Sequence, residues 1–148
     1  MPHGLRRTLK KQAFEIRIDT AFEPVMRACA QRSETWISEE IVASFCNLFH
    51  LGHAHSVEAW QAGQLVGGLY GVALGGAFFG ESMFHTVTDA SKVALHALVE
   101  RLRRNGFSLL DTQWVTPHLQ TFGTIEVPRS VYRRMLEACI ESERDFLG

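Results

Sequence analysis

The stretch Leu65–Phe84 reads LVGGLYGVALGGAFFGESMF, and it sets the terms for any fold of this chain. Seven of the twelve glycines fall between Gly63 and Gly80, threaded through branched and aromatic residues. A run so apolar belongs in a core, and a run so rich in glycine belongs in loops. Both hold together if adjacent strands run through the core with a backbone that something must approach closely. Gly75-Gly76 is a tight hairpin signal, so Leu65–Leu74 and Ala77–Gly80 are expected to pair antiparallel. The polar pair Glu81–Ser82 follows, flanked by aromatic and thioether side chains, and marks the centre of the candidate site.

The flanking sequence completes a mixed α/β pattern. Arg6, Arg7, Lys10 and Lys11 suggest a short basic helix, read either as a solvated face or as a phosphate contact. Alternation in Phe14-Glu15-Ile16-Arg17-Ile18 predicts a strand with its apolar residues inward. Thr20 and Glu23 have capping-box spacing before a helix whose apolar side is Phe22, Val25, Met26 and Cys29, ending near Gln31. Ser38 caps a second helix, with Glu39 and Glu40 in its favourable first turn, Ile41, Phe45, Leu48 and Phe49 inward, and Gly52 as its stop. Ser56–Trp60 is a strand, joined by the turn Gln61–Gln64 to the central stretch.

Asp89 is expected to cap a further helix with Val93, Ala94, Ala97, Leu98 and Leu102 inward and arginines in its last turn. Phe107–Val115 is the next strand, Thr116–Gly123 a helical turn and Ile125–Val127 a short strand. A helix beginning at Pro128 carries Val131, Met135, Leu136 and Cys139. The order is an antiparallel meander, a crossover helix and a further strand, an α/β (α+β) arrangement in one domain over residues 1–148.

Composition removes several function classes. A formal net charge of -1 is no general nucleic-acid coat, though a local basic patch is compatible with it. Three cysteines without C-x-x-C spacing give neither a disulfide framework nor a zinc knuckle and fit a reducing cytosol. The amino terminus lacks the apolar run of a secretory signal. Leu65–Phe84 is long enough to span a membrane, but its glycines and turn signals make it a hairpin. His50, His53 and His55 invite a metal reading, which the absence of a carboxylate or thiol at supporting spacing argues against. Ser56 and Ser82 have no nucleophile-elbow motif around them.

Two polar constellations carry chemistry. Asp111 and Gln113 stand two apart on a predicted strand and so share a face with Leu109 and Val115. They are either a mutually satisfied pair near a strand end or a working pair. In the second case the carboxylate accepts a proton or orients an amine, and the amide positions a nucleophile. Glu81 is either a ligand for a substrate amine or a cap on local backbone. Trp36 is either a stacking platform for a flat ligand or a lid on the core.

The meander–helix–strand order resembles acyltransferases of the GNAT type. Their pyrophosphate loop, of Q/R-x-x-G-x-G/A form, is missing, because Glu81–Ala90 reads ESMFHTVTDA. An acyl carrier other than coenzyme A follows from that, and no cofactor is expected. The strings GHAHSVEAW from Gly52, LVGGLYGVALGG from Leu65, FFGESMF from Phe78, ASK from Ala90, LLDTQ from Leu109 and VPR ending at Arg129 are similar to the bacterial leucyl/phenylalanyl-tRNA–protein transferases, in order from about Arg6 to Arg134.

That resemblance implies a GNAT-like domain that moves Leu, Phe or Met from aminoacyl-tRNA to proteins beginning with Arg or Lys. It implies the N-degron pathway of protein degradation, a cytoplasmic monomer, and neither membrane nor metal. By the same resemblance Leu69, Phe78, Leu95 and Leu98 build the amino-acid side-chain pocket, beside Gly80 and Ser82, and Trp36 stacks on the terminal adenosine. Glu81 lies near the donor's amino and ribose groups, Asp111 and Gln113 assist the acceptor amine, and Arg6, Arg7, Lys10 and Lys11 meet the acceptor stem. His3 and His85 depart from the family's more usual arginine and serine. Family members also carry a further amino-terminal portion, after which this chain starts. The rival expectation is therefore a catalytically inactive or truncated homologue that keeps tRNA or protein binding.

Overall fold

The computed structural model describes residues 14–32, 37–112, 133, 137 and 144–148. Within them the glycine-rich stretch lies at the middle of a five-stranded sheet. The strands follow one another in chain order as β1 (Glu15–Ile18), β2 (Ala54–Gln61), β3 (Gln64–Leu74), β4 (Ala77–His85) and β5 (Leu109–Thr112). The first four pair antiparallel, and β5 joins β4 in parallel. A parallel neighbour needs a crossover connection. Helix α3 (Ala90–Arg104) supplies it, while α1 (Phe22–Arg32) and α2 (Glu39–His50) fill the connection from β1 to β2. The α/β class and the central meander expected from the sequence are both observed.

The sheet divides the apolar residues between two faces. Against α1 and α2 lie Ala54, Tyr70 and Phe84, with Phe22, Val25, Met26 and Cys29 reaching down from α1 as their helical spacing predicts. Against α3 lie Val57, Leu69 and Phe78, met by Ala94, Leu95, Leu98 and Leu102. Neighbouring strand residues such as Leu69 and Tyr70 go to opposite faces, as the pleat requires. Both faces are covered, which is why β3 reads as a continuous apolar run.

The glycines of β3 make room for the protein's own elements. A Cβ on Gly71 would stand 2.3 Å from the Phe79 carbonyl oxygen and 2.6 Å from the Phe78 ring, which lies across that position. A Cβ on Gly67 would stand 2.5 Å from the Ala90 Cβ, at the start of α3. Helix and aromatic ring therefore approach β3 more closely than any side chain would permit.

Three local expectations are corrected. Strand β4 does not stop at Gly80; Glu81 and Ser82 belong to it, because Gly67–Tyr70 of β3 continue to offer partners as far as His85. Thr20 does not close a capping box with Glu23. Its backbone N–H and hydroxyl both donate to Glu58 of β2, and the Ala21 N–H donates there as well, so a carboxylate from the sheet serves the start of α1. Asp89 stands at the N-cap position of α3 with φ 69° and makes no side-chain cap hydrogen bond. A capping side chain needs extended backbone, and this left-handed residue instead places its carboxylate 3.4 Å from Lys92 Nζ. Ser38, by contrast, caps α2 as expected, its hydroxyl accepting from the Ile41 N–H.

The basic segment 6–11, Trp36, Gln113 and the strand extension to Val115 lie outside the described residues. So do the expected turn over 116–123, the strand over 125–127, and Val131, Met135, Leu136 and Cys139. Arg133 and Glu137 are helical and exposed. Among the described residues no helix is long and apolar enough to cross a membrane.

Candidate functional site

The site is built where the sheet changes its pairing. Tyr70 of β3 faces Ser82 of β4, whereas the next residue, Gly71, faces Gly80. Glu81 is the extra residue in that step, a β-bulge, the device by which strands re-aim a side chain. The parallel pairing of β4 with β5, as described, covers Ala77–Gly80 against Leu109–Thr112. Glu81 thus follows directly on the last described β5 partner, at the junction of β3, β4 and β5.

Electrostatics single out the same place. Burial pushes the Glu81 carboxyl above the ordinary carboxylate range, and the nearby charge of Asp111 pushes it further. Asp111 pairs with Phe79, two residues before Glu81, and is itself only partly exposed. Two carboxyl groups from adjacent strands therefore lie within electrostatic reach of one another. One of them holds its proton more tightly than a surface glutamate would. A pair of this kind can receive a cationic amine, whose charge relieves the repulsion.

The four apolar residues assigned to a side-chain pocket come together on the other face. Leu69, Phe78, Leu95 and Leu98 are all fully buried in the cluster under α3. Gly80, next in β4 before Glu81, is buried, and Ser82 is half-buried opposite Tyr70. Glu81 bears on Tyr70, which lies on the α1/α2 face, while the apolar cluster faces α3; Gly80 and the bulge join the two. Trp36, Gln113, Arg6, Arg7, Lys10 and Lys11 lie outside the described residues. His50 and His53 are exposed, and among the described residues no three His, Cys, Asp or Glu side chains come together as a metal ion would require.

Three features escaped the sequence reading. Phe146 is buried beneath α3, stacked on Phe78 with ring centroids 5.2 Å apart and on His55 at 4.3 Å. Its carbonyl accepts from Arg101 at 3.1 Å and from the Asn105 side chain at 2.7 Å. A lone aromatic near a chain end carries no periodicity to reveal this. Glu58 is fully buried and accepts from Thr20, Ala21, Ser56 and Trp60. A carboxylate among β-branched and aromatic residues was its only signal. His55 is the third: its Nδ1 lies 2.7 Å from Asp19, whose other oxygen accepts from the Ser56 N–H.

An antiparallel meander extended in parallel by a strand after a crossover helix is a fold of the GNAT kind. Solved acetyltransferases share that fold. A predicted acetyltransferase with acetyl-CoA from Clostridium acetobutylicum aligns over 79% of this chain and 93% of its own, with TM-score 0.63 at 10% identity. The ribosomal-protein-alanine N-acetyltransferase of Brucella melitensis aligns over 79% and 99%, with TM-score 0.52 at 16% identity.

The chain belongs to the leucyl/phenylalanyl-tRNA protein transferase family, whose model matches residues 1–137, and so to the aminoacyltransferases. Its similar relatives include the leucyl/phenylalanyl-tRNA–protein transferases of Paramagnetospirillum magneticum, 60% identical over 147 residues, and of Herpetosiphon aurantiacus, 57% identical over 143. These alignments take in 96% and 97% of this chain and 70% and 75% of the relatives, respectively.

Proposed function

We propose that this protein transfers Leu, Phe or Met from aminoacyl-tRNA to the α-amine of proteins that begin with Arg or Lys. The observation that carries this reading is the Glu81–Asp111 junction, joined through the bulge and Gly80 to a buried apolar cluster, in a chain of the transferase family. The donor's amino-acid side chain enters among Leu69, Phe78, Leu95 and Leu98. Its ammonium group pairs with Glu81 as its ribose lies alongside. A pocket of this kind separates side chains differing by one methylene by only about 1–3 kcal/mol, which suits a short list of apolar residues better than a single one.

In the reaction the acceptor's α-amine nitrogen attacks the ester carbonyl carbon. The bond from that carbon to the 3′-terminal ribose oxygen breaks, an amide forms, and the proton lost by the amine ends on the released ribose hydroxyl. Asp111 orients Gln113, and Gln113 holds the amine in line. The ester is already activated, so positioning supplies much of the acceleration. Trp36 stacks on the terminal adenosine, and Arg6, Arg7, Lys10 and Lys11 bind acceptor-stem phosphates with strong salt dependence. The acyl group arrives on tRNA, with no part for coenzyme A, in the cytoplasm, and the product enters the N-degron pathway.

The test is transfer of labelled phenylalanine from charged tRNA to a protein with amino-terminal Arg. Transfer lost in Asp111→Ala and Glu81→Ala, with folding intact, supports the reading. Tight acetyl-coenzyme A binding without transfer overturns it, and tRNA binding without transfer by the native chain would mark a non-catalytic homologue.

A further inference from the structure

Tyr70 is fully buried, and its hydroxyl oxygen has no hydrogen-bond partner among the described residues. A phenylalanine would fill the same space without that cost, so the oxygen calls for an explanation. Its ring is held edge-on by Phe22, centroids 5.9 Å apart at 80°, and by Phe45, 5.6 Å apart at 81°. Two such contacts fix where the oxygen sits. The bulge then sets Glu81 directly beside the Tyr70–Ser82 pair. Among the described residues, the titratable groups that bear on this corner are Cys29 from α1, Tyr70 from β3, Glu81 from β4 and Asp111 from β5.

We propose that Tyr70 is a positioning residue for Glu81: its buried O–H is held ready to donate a hydrogen bond to the Glu81 carboxylate, aligning that group for the donor's ammonium. Burial and the Asp111 charge favour the neutral form of Glu81, and a buried hydroxyl donor within its electrostatic reach offsets part of that preference when it turns to the carboxylate as the cation arrives. The phenol is suited to this role, because burial and the neighbouring Cys29 and Glu81 charges raise its own titration and keep the proton on the oxygen. The inference rests on Glu81 serving the donor, but its first test does not require transfer.

Tyr70→Phe removes only the oxygen and keeps both ring contacts, so the variant is expected to fold with an equal or higher Tm. Carbon-13 NMR of the side-chain carboxyl groups follows Glu81 directly. Its titration midpoint is expected to move upward in Tyr70→Phe by about half a pH unit or more, the size of a modest hydrogen bond to a charged group. An unchanged or lowered midpoint overturns the proposal, whatever the activity. In transfer assays Tyr70→Phe is expected to raise KM for charged tRNA several-fold more than it lowers kcat. It should add nothing to Glu81→Gln when the two are combined. Independent, additive losses would also overturn the proposal. Absence of transfer by the native chain, with the midpoint moved, would support Tyr70 and sink only the transferase reading.

Discussion

Asp111 on β5 pairs with Phe79 on β4, and its charge reaches Glu81 two residues further along, where it adds to burial in holding that carboxyl above its ordinary range. The relation has a thermodynamic consequence. Across the interval from the ordinary carboxylate range, near 4.5, up to the raised native value, the folded chain binds more protons at Glu81 than the unfolded chain does. Stability therefore falls as pH rises through that interval. Glu81→Gln removes the penalty. The variant is expected to be more stable than the native chain at pH 7 and to lose that advantage below pH 4, as urea denaturation at the two pH values would register.

Phe146 ties the end of the chain to the face under α3 through Phe78, His55, Phe107 and Arg101. Phe146→Ala empties a large buried site and is expected to cost about 3 kcal/mol or more. It also releases the carbonyl held by Arg101 and Asn105 if the terminal residues withdraw. The denaturant midpoint measures this loss, and a change below about 1 kcal/mol would show that the terminal residues do not pack there in solution.

Glu58 joins β2 to the first turn of α1. In Glu58→Gln an NH2 group replaces one acceptor oxygen and confronts hydroxyl, indole and backbone donors that previously had a carboxylate. The expected cost is about 2 kcal/mol, with Glu58→Ala costing more because every donor loses its partner. Amide hydrogen exchange at Thr20 and Ala21 should quicken together in both variants. Quickening elsewhere with those two unchanged would contradict the assignment.

These relationships also mark how far the sequence could be read. Periodicity located α1, α2 and α3 and most of their inward residues, because burial on one helix face is a local, repeating signal. On α2, however, the buried residue is Val42, while the expected Ile41, Phe45, Leu48 and Phe49 are half-buried. The hairpins were legible from Gly63 and Gly75-Gly76. The length of β4 was not, because Glu81-Ser82 looks like an exit from the sheet unless the partner strand and its bulge are known. Thr20 and Asp89 have the composition of caps, but Glu58 claims the first and a left-handed backbone disqualifies the second. Tertiary partners overrode local rules at both. The abundance of glycine was read correctly as close approach, while the approaching groups, Ala90 and Phe78, became visible only in three dimensions. Of the candidate site, Glu81, Asp111 and the four apolar residues could be named from their strings. The Tyr70 hydroxyl could not, since a tyrosine in an apolar strand reads as core.

The central claim is that the Glu81–Asp111 junction serves aminoacyl transfer. The most direct measurement is the single-turnover rate of labelled phenylalanine transfer from charged tRNA to a protein with amino-terminal Arg, comparing the native chain with Asp111→Asn and Glu81→Gln. The account predicts transfer by the native chain and a loss of at least about 100-fold in each variant, the range expected when a group that positions a reactant is removed. Rates in both folded variants equal to that of the native chain would contradict it.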